Sequence, residues 1–178
     1  MNKLLLTALL LLPLHASMLN KVPNNFNEDT VVSEPTVLDQ LAYLRDTHTS
    51  HVEAMRNELV TYATEHVTEP YTWGGSYKWS KFDCSSLVQG AYDSIGVSIP
   101  RTATQQYRTL KTSVKVKEIK RGDLVYYLTD KRRKLPVTHV VMYIGNGKVV
   151  EAKSRKKGII ISKFTTKRLV GIRRVIGD

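Results

Sequence analysis

Apolar residues follow several distinct patterns along the chain, and each predicts a different element. Leu4 to Leu12 form an apolar run, interrupted only by Thr7, behind Lys3, extended through Pro13 and Leu14 to the small residues Ala16 and Ser17. That is the pattern of a secretory signal over 1–17, and it falls short of the roughly 18 to 20 residues a membrane-spanning helix needs. Residues 18–36 are rich in Asn, Pro and acidic side chains with no apolar period, which reads as a flexible N-terminal arm. From Val37 the spacing turns helical. Val37, Leu41 and Leu44 share one face, Thr49 and Ser50 predict a break, and Met55, Leu59, Tyr62 and Ala63 predict a second helix from His51 to His66.

Another helix is predicted behind Asp83, a good N-cap, with Leu87, Val88, Ala91, Tyr92 and Ile95 as its apolar face and Gly96 placed to stop it. Farther on, β-branched apolar runs flank Asn146 and Gly147 in THVVMYIGNGKVVEA, the signature of a β-hairpin opened by His139. About 160 residues follow Ser17, enough for one domain with its own core but not for two. A single domain over 37–178, begun by a helical extension, is the expected organisation. No internal repeat or low-complexity tract is visible, and no later stretch approaches a membrane span in length.

Charge adds a lopsided balance. The chain carries a formal +11, and from Arg101 to Asp178 there are 21 Lys and Arg against 5 acids. Such a half attracts polyanions. For an exported, periplasmic or secreted chain the partners at hand are anionic envelope polymers and acidic lipid headgroups. Nucleic acid is not expected, because the aromatics do not alternate with the basic residues as a single-strand-binding platform requires.

The candidate chemistry starts from the only cysteine, Cys84. With no second thiol to pair with, it is either a small buried hydrophobe or a reactive thiol. Its place in the first turn of the helix capped by Asp83 favours the thiolate, through unsatisfied N–H groups and the positive end of the helix dipole. A thiolate nucleophile needs a base, usually histidine. His15 leaves with the signal. His48 and His51 have a spacing that suits a metal, but no further ligand cluster accompanies them, so no metal or other cofactor is expected. His66 lies near a helix end, and His139 is carried on the hairpin.

The runs YTWGGSYKWSKFDCSSLVQGAYDSIGVSIPRTATQQY, KRGDLVYY and THVVMYIGNGKVVEA resemble the NlpC family of papain-like peptidoglycan hydrolases in order and spacing, over about His51 to Ile176. The shared elements are Tyr71, Trp73, Gly74 and Gly75; Asp83-Cys84-Ser85; Pro100-Arg101; Gly122-Asp123; and His139. The resemblance implies an α+β, papain-like fold in which the helix carrying Cys84 packs on a central antiparallel sheet. It implies a cysteine endopeptidase cutting peptidoglycan stem peptides, usually between γ-D-glutamate and the next diamino acid. Cys84 would be nucleophile and His139 base. Tyr71 would assist the oxyanion, and Asp83 and Ser85 would line the substrate site. A muramoyl-L-alanine-type amidase and a catalytically silent, basic wall-binding module are the alternatives. Ala103 stands where relatives often have a polar serine. Glu151 stands where many have a second histidine, twelve residues after His139.

Strand alternation makes the third position, Glu151, a strict test. His139 shares a face with Val141 and Tyr143. A two-residue turn of Asn146 and Gly147 pairs Gly145 with Lys148 and puts Glu151 on the wrong face. A three-residue loop, with Gly147 as the left-handed residue of a bulge, pairs Val141 with Glu151 and brings the carboxylate to His139. The three-residue loop is the expected one.

Overall fold

The hydroxyls of Thr47 and Thr49 turn back onto the carbonyls of Tyr43 and Arg45, at 2.8 and 2.9 Å. Satisfied in this way, they stay within one continuous helix, α1 (Val37–Glu65), and the two helices expected with a break at Thr49 and Ser50 are corrected to one. The computed structural model describes residues 35–177, so the expected signal and all but the last two residues of the expected arm lie outside the described residues. The C-terminal half of α1 buries Val52, Leu59, Val60 and Ala63, whereas Val37, Leu41 and Leu44 share their face without being covered.

Helix α2 (Cys84–Ser94) follows its sequence signals closely. Asp83 is the N-cap of a complete capping box, Leu87, Val88, Ala91 and Tyr92 are buried, and Gly96 takes a φ of 74° just past the C-cap Ile95. It crosses α1 at Gly90, where a methyl group would run into the Tyr62 hydroxyl, so the small residue sets the approach of the two helices. A short helix, α3 (Ala103–Thr109), is capped by Thr102 with Gln105 closing its capping box.

The strands β1 (Leu124–Tyr127), β2 (His139–Gly145), β3 (Lys148–Ser154), β4 (Gly158–Lys163) and β5 (Leu169–Arg173) form one antiparallel sheet in the order β4-β3-β2-β1-β5. Period-2 alternation divides its residues. Leu124, Tyr126, Val140, Met142, Val150 and Ala152 join the helices in the main core. Val125, Tyr127, Val141, Val149 and Ile172 form a smaller cluster with Phe164 and Leu169. The papain-like α+β expectation, a cysteine-bearing helix on an antiparallel sheet, is met.

A buried ionic knot ties α1 to the sheet. Asp123 is 1% exposed and accepts from Arg174 at 2.9 and 2.8 Å and from the Lys120 amide at 2.9 Å. Arg56, 2% exposed, lies 3.7 Å from the same carboxylate and donates to the carbonyls of Arg121 and Ile176.

The β2–β3 hairpin departs from the expected loop. Gly145 pairs with Lys148 around Asn146 and Gly147, and the three residues have φ of 95°, 50° and 66°. The turn is therefore the two-residue one. A bulge between Tyr143 and Gly145 absorbs Ile144, and beyond it the register is Tyr143 with Val149 and Met142 with Val150. The left-handed glycine of the bulge is Gly145, not Gly147. That register carries Glu151 opposite Val141, onto the face of His139, so the parity argument fails at the turn and is restored by the bulge.

Candidate active site

Cys84 is the first residue of α2 and is half-buried. The amides of Ser85 and Ser86 donate to Asp83 Oδ1 at 3.1 and 2.8 Å, and the Ser86 hydroxyl accepts from the Asp83 amide at 2.9 Å. The Asp83 carboxylate is also gripped by Arg101, whose Nη2 reaches Oδ2 at 2.6 Å and whose Nη1 reaches Oδ1 at 3.1 Å and the Ser85 hydroxyl at 3.0 Å. Arg101 donates as well to the Gly75 carbonyl. Tyr71 is brought alongside by its bridge to Phe82, next to the cap.

His139 opens β2 and so stands at the end of the sheet. There it makes a hydrogen bond with Cys84 while its Nε2 meets Glu151 Oε2 at 2.7 Å. The other carboxylate oxygen, Oε1, accepts from the Ser162 hydroxyl and, at 2.9 Å, from Lys153 Nζ. Cys84, His139 and Glu151, from one helix and two strands, thus form a continuous hydrogen-bonded line. Burial works against the charged imidazole, but the hydrogen bonds to Cys84 and Glu151 and their charges prevail and raise its pKa from 6.5 to about 9. Burial likewise opposes the Glu151 carboxylate, yet its bonds to His139, Ser162 and Lys153 bring it from 4.5 down to about 2. Burial and the charges of Cys84 and Asp83 push the Tyr71 hydroxyl up to about 12, so it remains a protonated donor.

Three comparisons with known proteins now bear on this arrangement. The model of the NlpC/P60 family matches residues 68–174, a span that includes Tyr71, Cys84, His139 and Glu151. The chain belongs to the NlpC/P60 family. This is a cysteine peptidase family. It is 34% identical over 139 residues to murein DD-endopeptidase MepH of Escherichia coli K12, across 75% of this chain and 51% of that one. It is also 34% identical over 121 residues to a gamma-DL-glutamyl hydrolase of Bacillus subtilis 168, across 65% and 28%. The chain therefore spans about half, or less, of the length of these curated relatives. Among solved structures, the peptidoglycan hydrolase RipB of Mycobacterium tuberculosis superposes with a TM-score of 0.62 at 28% identity, covering 72% of this chain and 68% of that one.

Within this NlpC/P60 domain the expected site residues fall into two groups. Tyr71, Asp83, Cys84 and Ser85 line a cleft of about 530 Å³ together with Trp73, Arg101 and Arg133. His139 and Glu151 line a second cleft of about 370 Å³ with Lys153, Ser162 and Lys167. The hydrogen bond between Cys84 and His139 links the two. Arg101 and Ser162 were not singled out from the sequence as site residues. Arg101 stood in the Pro100-Arg101 element, but nothing there says that it holds Asp83. Ser162 was accessible through the β3–β4 register, since Val149 faces Ser162 and Glu151 faces Ile160, which sets Ser162 diagonal to Glu151.

The pKa shifts give a signed expectation. The raised His139 pKa contributes stability that is complete below about pH 6.5 and is lost as pH rises through about 9. The lowered Glu151 pKa contributes stability that is complete above about pH 4.5 and is lost as pH falls towards about 2. Their joint contribution is greatest between those limits, from about 4.5 to about 6.5. Histidine ring resonances followed by NMR should show His139 titrating near pH 9 and moving down in Glu151→Gln. A midpoint at or below 6.5 in the wild type would mean that burial outweighs both partners.

Proposed function

We propose that this NlpC/P60 protein is an exported cysteine endopeptidase that hydrolyses peptidoglycan stem peptides at the bond between γ-D-glutamate and the following diamino acid. The observation that carries the reading is the hydrogen-bonded line from Cys84 through His139 to Glu151. His139, kept protonated by Glu151, holds Cys84 as a thiolate, and the thiolate attacks the scissile carbonyl. With the Ser85 and Ser86 amides engaged by Asp83, the oxyanion falls to the amide of Cys84 itself and the protonated hydroxyl of Tyr71. The imidazolium then passes its proton to the leaving amine, the thioester forms, and water, losing a proton to His139, releases the acid. Asp83 and Ser85 contact the polar end of the stem peptide, with Arg101 bracing both. The basic C-terminal half is proposed to hold anionic envelope polymers.

A second reading, cleavage of a DD bond, is favoured by the name of the Escherichia coli relative, and the Bacillus subtilis relative favours the γ-glutamyl one. Mass spectrometry of sacculi digested by the full chain separates them, because the two cuts leave fragments of different mass. Absence of any new fragment would overturn the endopeptidase reading. In the same assay Glu151→Gln should slow turnover by roughly ten- to a hundredfold, since the amide cannot stabilise the imidazolium as a carboxylate does. A fully active variant would reduce Glu151 to a bystander.

A further inference from the structure

Two guanidinium groups line the cleft that holds Cys84, and their donors are differently engaged. Arg101 gives its Nη1 and Nη2 to Asp83, Ser85 and Gly75 and serves as a brace. Arg133 comes from the connection between β1 and β2, in the run Lys131-Arg132-Arg133-Lys134, and is the only one of those four that lines the cleft. Its guanidinium lies over the Trp73 ring, 4.8 Å from the centroid. The nearby Asp130 is taken by Arg132 at 3.0 and 3.2 Å, and Arg133 makes no hydrogen bond or ion pair among the described residues. Among the described residues the only carboxylate lining the cleft is Asp83, which Arg101 already neutralises. A guanidinium placed over an indole by a cation–π contact spends no N–H donor on it, and those donors match a carboxylate in a fork.

We infer that Arg133 reads a free carboxylate on the substrate beside the scissile bond, and so selects acid over amidated stem peptides. The inference rests on the γ-glutamyl reading above. A glutamate joined through its γ-carbonyl keeps its α-carboxylate, and that group lies a few bonds from the carbon that Cys84 attacks. An acyl residue of a DD bond offers no such side group when it is alanine. Trp73 fixes the height of the guanidinium, and the other basic residues of the run remain outside the cleft.

The test uses the full chain and two synthetic peptides that differ only at the α-position of the γ-linked glutamate, free acid in one and carboxamide in the other. The wild type should prefer the acid by about tenfold in kcat/KM, the scale of a charge-assisted fork. In Arg133→Gln that ratio should fall towards one, and in Arg133→Glu below one. A wild-type ratio near one overturns the inference alone, as does a preference that survives in both variants. Cleavage of neither peptide overturns the γ-glutamyl reading and this inference with it. Arg133 is exposed on a surface connection, and the wild-type ratio stands as a test even if a variant folds poorly.

Discussion

Replacing Cys84 by alanine should abolish digestion of sacculi, by roughly 10⁴-fold or more, because the chain has no other thiol and His139 is paired with this one. Removing a nucleophile from a working constellation leaves only what binding and oxyanion donors contribute. The fold should survive: Cys84 is half-buried at a helix start, and Asp83 and Ser86 keep the capping box. Thermal unfolding of the variant should thus stay close to wild type while turnover disappears. Iodoacetamide should inactivate the wild type in step with alkylation, and His139→Ala should slow that alkylation. Turnover by Cys84→Ala within tenfold of wild type would remove the thiol from the chemistry.

The largest effect on stability should come from a residue outside the cleft. Asp123→Ala withdraws the countercharge from Arg56 and Arg174, and Arg56 has almost no access to water. Breaking a buried pair from one side is expected to destabilise by about 3 to 5 kcal/mol. The variant also deprives the Lys120 amide of its acceptor, at the tight corner where Gly122 has a φ of 86°. Denaturant melts of wild type and Asp123→Ala read the difference directly, and a loss below about 1 kcal/mol would show that the knot is incidental to stability.

How much of this was legible in the sequence depended on where the determining partners lay. Helix α2 was readable because its signals are local: a capping aspartate, an apolar face at helical spacing and a glycine stop within fourteen positions of Asp83. The meeting of Cys84 with His139 was readable as chemistry, since a lone thiol at a helix start calls for an imidazole, and the family resemblance supplied which one. The break at Thr49 and Ser50 was misread because hydroxyls that usually compete with the helix here bond back into it. Arg101 and Arg133 were opaque for another reason. Whether a basic side chain braces a cap or keeps its donors available depends on neighbours far away in sequence, and nothing local records it.

The bulge at Ile144 has a consequence for how the chain can change length. Surface hairpins ordinarily tolerate insertions and deletions. Here the loss of the single residue Ile144 would straighten β2 while leaving Gly145 paired with Lys148 and Tyr143 with Val149, so Glu151 would stay on the face of His139. One residue added within β3 between Val149 and Glu151, with the turn unchanged, would instead shift the rest of the strand by one position, turn Glu151 to the opposite side of the sheet and take the carboxylate from His139. The hairpin is therefore expected to tolerate shortening at its bulge but not lengthening of β3, a restriction that comes from β-strand geometry rather than from the identity of any side chain in the turn.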